Sequence, residues 1–251
     1  MQEGCPLNIE LAGCVIGLRP RYPYLQTYCL DYRTDAPAAF TVTATQADID
    51  YEREKSARED ALEGIPVRRF SDDYLETLAV YRKIAVALLD YDTLLFHGSA
   101  VAVDGTGYLF TARSGTGKST HARLWREMFG PRAVMVNDDK PLLKLTPGGV
   151  TVYGTPWDGK HRLSTNIAVP LRAICILSRD ATNHIAPLTA GAAYPMLLQQ
   201  AYRPDDPAAM EKTLTLLDRL AGGVALYALG CNMERSAALV AWQGMNGGKI
   251  P

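Results

Sequence analysis

Residues 112–120, Ala-Arg-Ser-Gly-Thr-Gly-Lys-Ser-Thr, have the types and the spacing to hold phosphate. A phosphate cradle needs consecutive backbone N–H groups turned toward one anion, and Gly115 and Gly117 supply the positive φ that such a turn uses. Lys118 adds a point charge for the outer phosphates, and Ser119 a hydroxyl suited to Mg²⁺. A helix from His121 to Phe129 would point its positive dipole end at the same anion. Ser114, Gly115, Thr116, Gly117, Lys118, Ser119 and Thr120 are therefore the candidate nucleotide-binding set, with ATP and Mg²⁺ as the implied cofactors. Ala112 stands where the usual pattern begins with glycine; the remaining Ser-Gly-Thr-Gly-Lys-Ser-Thr is intact.

Phosphoryl transfer also needs an orienting base and a carboxylate for the metal. Val136-Asn-Asp138-Asp139 closes the apolar run that follows the loop helix, only about twenty residues after Lys118. Asp138 and Asp139 are the candidates for these two jobs, the metal-holding one acting together with Ser119. The short gap points to a compact kinase rather than a large nucleotide hydrolase. Gly154-Thr-Pro-Trp-Asp-Gly-Lys-His-Arg162 is the other unusual run. It gathers Lys160, His161 and Arg162 in a turn-rich segment, where Arg162 could steady charge on a transferring phosphoryl group. An ordinary surface loop with a basic triplet would look the same.

These pieces need elements to place them. Gly107–Ala112 reads as the strand feeding the loop, paired through an Asp104-Gly105 turn with Ser99–Val103. Thr93–His97, Ala133–Val136, Leu142–Leu145, Val150–Tyr153, Arg172–Leu177 and Val224–Leu229 read as further strands. Helices are expected from Asp73 to Asp90, over Ala190–Tyr202 and over Met210–Ala221. Upstream, Ile9–Leu11, Tyr24–Tyr32, Phe40–Thr43 and Pro66–Phe70 read as strands. Thr45 with Asp48 marks the start of a charged helix, and Asp73 with Glu76 a capping box. The expected division is a small α+β domain over 1–71 and an α/β domain over 72–251.

The bulk properties exclude several classes. Twenty-six basic against twenty-seven acidic residues leave a net charge of −1, so no global field draws nucleic acid or a membrane. No apolar run approaches the roughly 20 residues of a membrane span. The amino terminus lacks a basic and apolar signal pattern, and the five scattered cysteines suit reduced thiols, which together point to the cytoplasm.

In order and spacing, His97-Gly-Ser-Ala-Val, a hairpin, the glycine-rich loop, one helix and Asn137-Asp138-Asp139 resemble the C-terminal kinase domain of HPr kinase/phosphorylase. That P-loop fold is similar to the nucleotide-binding domain of phosphoenolpyruvate carboxykinase. The resemblance covers about 93–140 and implies a divergent serine kinase with His97 near the transferring phosphate, Asp138 as the base and Asp139 as the metal ligand. It also implies an acceptor hydroxyl on a peptide or small protein, as in relatives beside bacterial peptide-modification genes. HPr-kinase relatives are commonly hexameric, which leaves a homo-oligomer open. The family's glycine-rich segment after the aspartates is not found, and the first seventy residues are shorter than its usual N-terminal domain. A small-molecule or carboxykinase-like phosphotransferase and a non-catalytic nucleotide-binding regulator are the alternatives.

Overall fold

A computed structural model describes residues 5–62, 64–159 and 161–248. The chain divides into two compact units, 1–87 and 88–251.

In the first unit, β1 (Leu7–Leu11) and β2 (Cys14–Arg19) form a hairpin through Ala12 and Gly13, both at positive φ. Strand β3 (Arg33–Thr34) pairs with β1, and β4 (Phe40–Thr43) runs parallel to β2. The Tyr24–Tyr32 run is not a strand. Pro23 leads instead into helix α1 (Tyr24–Tyr28), followed by a 3₁₀ turn, which buries Leu25 and Tyr28. Pro66–Phe70 is not a strand either, because the Arg68 N–H donates to the buried Asp60 carboxylate rather than to a ladder. Helix α2 (Gln46–Leu62) begins at the expected box, with Thr45 and Asp48 exchanging side-chain and backbone hydrogen bonds. Helix α3 (Asp72–Leu88) is held to this unit by polar contacts. Glu76 accepts the N–H groups of Arg21 and Tyr22, and Arg82 pairs with Asp48 and Glu52. Glu76 is thus spent on a neighbouring segment and does not form the capping box.

The second unit is a mixed α/β layer. Strands β5 (Thr93–Leu95), β6 (Ser99–Val103) and β7 (Thr106–Thr111) precede helix α4 (Lys118–Phe129). Strands β8 (Ala133–Asn137), β9 (Leu142–Thr146), β10 (Gly149–Tyr153), β11 (Ala168–Arg179) and β12 (His184–Pro187) follow. Helices α5 (Ala190–Gln200) and α6 (Pro207–Gly223), strand β13 (Ala225–Cys231) and helix α7 (Arg235–Met245) complete it. Strand order is β5-β9-β10-β11-β7-β6-β8, with β13 also on β11 and β12 on β13. Strand β6 is antiparallel to both β7 and β8, so those two run in the same direction on either side of it. The carboxyl ends of β7 and β8 and the amino end of β6 therefore share one sheet edge.

Beneath that edge lies an aromatic core. Trp125 on α4 is fully buried against Tyr108 and Phe110 of β7, with Trp242 of α7 5.8 Å away between ring centroids. Burying such rings is worth more per residue than any polar contact at the edge, so the core fixes α4 on β7. The loop between them is held by both ends. No described helix is long and apolar enough to cross a membrane.

Candidate active site

The loop from Ala112 to Gly117 leaves the end of β7 and turns into α4. Gly115 and Gly117 take φ of 74° and 124°, where a side chain would be strained. The helix ladder starts with the His121 N–H on the Gly117 carbonyl at 2.9 Å. Among the described residues, no acceptor takes the N–H groups of Gly115, Gly117, Lys118 or Ser119. Four free donors at a helix start fit an anion, which is the test a nucleotide phosphate must pass here. Lys118 Nζ rests on the Ala112 carbonyl at 3.1 Å. Burial lowers its pKa, and the Asp139 charge works against that shift.

Asp138 and Asp139 follow β8, and Asn137 sets their geometry. Its fully buried side chain donates to the Thr155 hydroxyl and carbonyl, while its Oδ1 accepts the N–H groups of Asp139 and Lys140. This Asx turn fixes the backbone of the acidic pair against the segment after β10.

The two carboxylates have different surroundings. Asp138 is 6% exposed, and its Oδ1 accepts the Gly159 N–H at 2.5 Å. Burial raises its pKa, with Asp158 and Asp139 adding to the rise and the Gly159 bond opposing it. Asp139 also pays for burial, yet His97, Lys140 and their charges lower its pKa to about 2. His97 Nε2 stands 3.3 Å from Asp139 Oδ1, and Lys140 Nζ 3.4 Å from Oδ2. One carboxyl is thus tuned toward taking a proton and the other toward staying ionised.

His97 is brought here by the hairpin. The Thr111 hydroxyl donates to its carbonyl at 2.9 Å, the Gly98 N–H to the Asp139 carbonyl at 3.0 Å and the Ser99 hydroxyl to the Asp138 carbonyl at 3.2 Å. Three short bonds join the starts and ends of β6, β7 and β8.

Of the 154–162 run, Gly159 touches Asp138, and His161 shares a cavity of about 360 Å³ with Ser119 and Asp138. Arg162, at φ 51°, turns to Asp158, with Nε 3.3 Å from Oδ1. Lys160 lies outside the described residues. Sequence reasoning missed Gly159 and Arg126, which also lines this cavity. Gly159 was visible only as a turn residue; Arg126 required the helix face to be known.

A second cavity of about 440 Å³ opens on the other flank of the loop, lined by Gly115, Gly117, His121, Arg179, Asn232 and Met233. His121 Nε2 accepts the Trp125 indole N–H at 3.1 Å, which assigns the proton of the neutral ring to Nδ1, a buried atom with no partner. Burial lowers the His121 pKa to about 4.

The profile of the SynChlorMet cassette protein ScmC family matches residues 71–215, more than half of the chain and all of the acidic and glycine-rich segments. The chain belongs to the ScmC family. No curated protein matches it. Among solved structures it is similar to the Hpr(Ser) kinase/phosphatase from Coxiella burnetii, at 11% identity and a TM-score of 0.34 over 61% of this chain and 94% of that one. That likeness is too weak to carry chemistry, which has to come from the residues of the ScmC chain itself.

The Ser119 hydroxyl and the Asp139 carboxylate are oxygen donors of the kind a hard Mg²⁺ ion takes, with the Asp139 oxygens approached in this structure by His97 and Lys140. Among the described residues no three His, Cys, Asp or Glu side chains converge on one point. Mg²⁺ sites of one or two carboxylates completed by substrate phosphates need no such cluster.

Proposed function

We propose that this ScmC-family chain is an ATP- and Mg²⁺-dependent kinase that transfers the γ-phosphate to a hydroxyl, that of a serine on a peptide or small protein. The observation that carries the reading is Asp138, a buried carboxylate with a raised pKa that shares a cavity with Ser119 at the start of the loop helix. A solvated turn would not bury a carboxylate or give it a single backbone donor.

In this reading the free N–H groups of the 115–119 segment and Lys118 hold the outer phosphates. The cavity beside His121 and Asn232 is the place for the nucleoside. Ser119 and Asp139 hold the metal, which when bound neutralises charge on the phosphates. Asp138 accepts the proton of the acceptor hydroxyl in the 360 Å³ cavity on the opposite flank. His97 keeps Asp139 in place and ionised. Arg162 holds Asp158, whose Oδ2 accepts the Ser164 hydroxyl at 2.8 Å and so shapes the loop over Asp138.

The test is transfer of label from γ-labelled ATP to serine peptides by the parent chain and by Asp138→Asn. Phosphoserine formed by the parent and lost in the variant supports a kinase. MgATP binding without transfer to any acceptor would leave a nucleotide-binding regulator.

A further inference from the structure

The cavity that holds Asp138 carries two arginines on its wall. Arg123, Arg126 and His161 line it, with Met135 and Leu163 as apolar wall. Arg123 is exposed and its guanidinium is paired with Glu127 one turn on. Arg126 differs. It is half-buried, and among the described residues no carboxylate lies within ion-pairing distance of it. Arg126 sits in the last turn of α4, where the helix dipole suits a cation, and its guanidinium faces the cavity available to an anion that arrives with a ligand. Arginine's planar fork matches a carboxylate with two parallel hydrogen bonds, which a surface solvation role would not need.

The helix supplies a ruler. Ser119 and Arg126 are seven residues apart, two turns, so they lie on the same face of α4. At about 1.5 Å per residue their separation along the axis is about 10 Å. An extended chain advances about 3.3 Å per residue, so that distance spans about three residues.

We propose that the acceptor is acidic: its hydroxyl sits beside Asp138 and a carboxylate about three residues away pairs with Arg126. This rests on the kinase reading for the place of the hydroxyl, but the anion site stands on Arg126 alone. Such a carboxylate could belong to a peptide or to a small hydroxy acid, and the span favours a peptide.

The experiment measures binding of fluorescent serine peptides by anisotropy at low salt, with and without a non-hydrolysable Mg-ATP analogue. The peptides differ only in carrying Asp, Asn or Lys about three residues from the serine, on either side. The Asp peptide should bind at least tenfold more tightly than the Lys peptide, and Arg126→Glu should reverse the order. The reversal also shows that the variant is folded. Equal binding of the three peptides, or an Asp preference that survives Arg126→Glu, overturns the proposal. Free serine and glycerate are the second arm. Displacement of the Asp peptide by either at comparable concentration would overturn the peptide source. Transfer is read separately: an Arg126-dependent acidic preference without phosphoserine would defeat the kinase reading and leave the acidic site in place.

Discussion

The Gly159 N–H donates to Asp138 Oδ1 at 2.5 Å, among the described residues the one backbone bond from the 154–162 loop to the acidic pair. The approach is close because Gly159 has no side chain. A Cβ there would stand 2.7 Å from Asp138 Oδ2. Gly159→Ala should therefore push the carboxylate off its position. A displacement on that scale costs about 10²-fold in rate where a base must meet its proton. MgATP affinity should change little, since the loop at 112–117 is untouched. Transfer kinetics beside titration calorimetry check both halves.

Lys118 is the only cation within the Gly115–Thr120 segment. Lys118→Ala should lower MgATP affinity and nearly abolish transfer. An unchanged calorimetric titration would mean that this loop does not hold the nucleotide.

The two aspartates should separate by pH. Asp139 titrates at about 2 in the folded chain, below its ordinary value of about 3.9. A depressed carboxyl stabilises the fold above its unfolded pKa, and that contribution is lost as pH falls through the folded value. Asp139→Asn should hence lower the urea midpoint at pH 6, with the gap to the parent closing toward pH 2. It should also raise the Mg²⁺ concentration needed for half-maximal transfer.

Asp138 has the opposite sign. Its raised pKa means its contribution is present below the unfolded value and is lost as pH rises through the folded one. Asp138→Asn should unfold at higher urea than the parent at pH 7 and level with it near pH 3. A residue that weakens the fold while ionised is kept for another purpose, which fits a base. The acid limb of kcat should lie above the ordinary aspartate range in the parent and vanish in the variant.

Much of this second unit is legible in the sequence. The Asp104-Gly105 turn, the apolar runs of β6 and β7 and the glycine spacing of the loop are local signals, and local signals survive folding. In the first unit, the aromatic Tyr24–Tyr32 segment has strand propensity that burial of Leu25 and Tyr28 in a helix overrides. Pro66–Phe70 lost its ladder to the Asp60 side chain, a partner several residues away that no period reveals. Asp138 and Asp139 are legible from their place after the loop helix, whereas His97 joins them only through the family resemblance, since a lone histidine near an apolar strand carries no such signal. The differential tuning of the two carboxylates is not legible, because it depends on Gly159 arriving from beyond β10. Arg126 looks like any helix cation until its face is known to line the same cavity as Ser119.

The central claim is that Asp138 serves as the base in phosphate transfer, and single-turnover transfer from γ-labelled ATP to a serine peptide, parent against Asp138→Asn, tests it most directly. The substitution keeps size and can keep the Gly159 bond while removing the basic carboxylate. Transfer should fall by about 10²- to 10⁴-fold, the usual worth of general-base help, while MgATP binding stays near the parent value. Transfer at the parent rate by the variant would contradict the account.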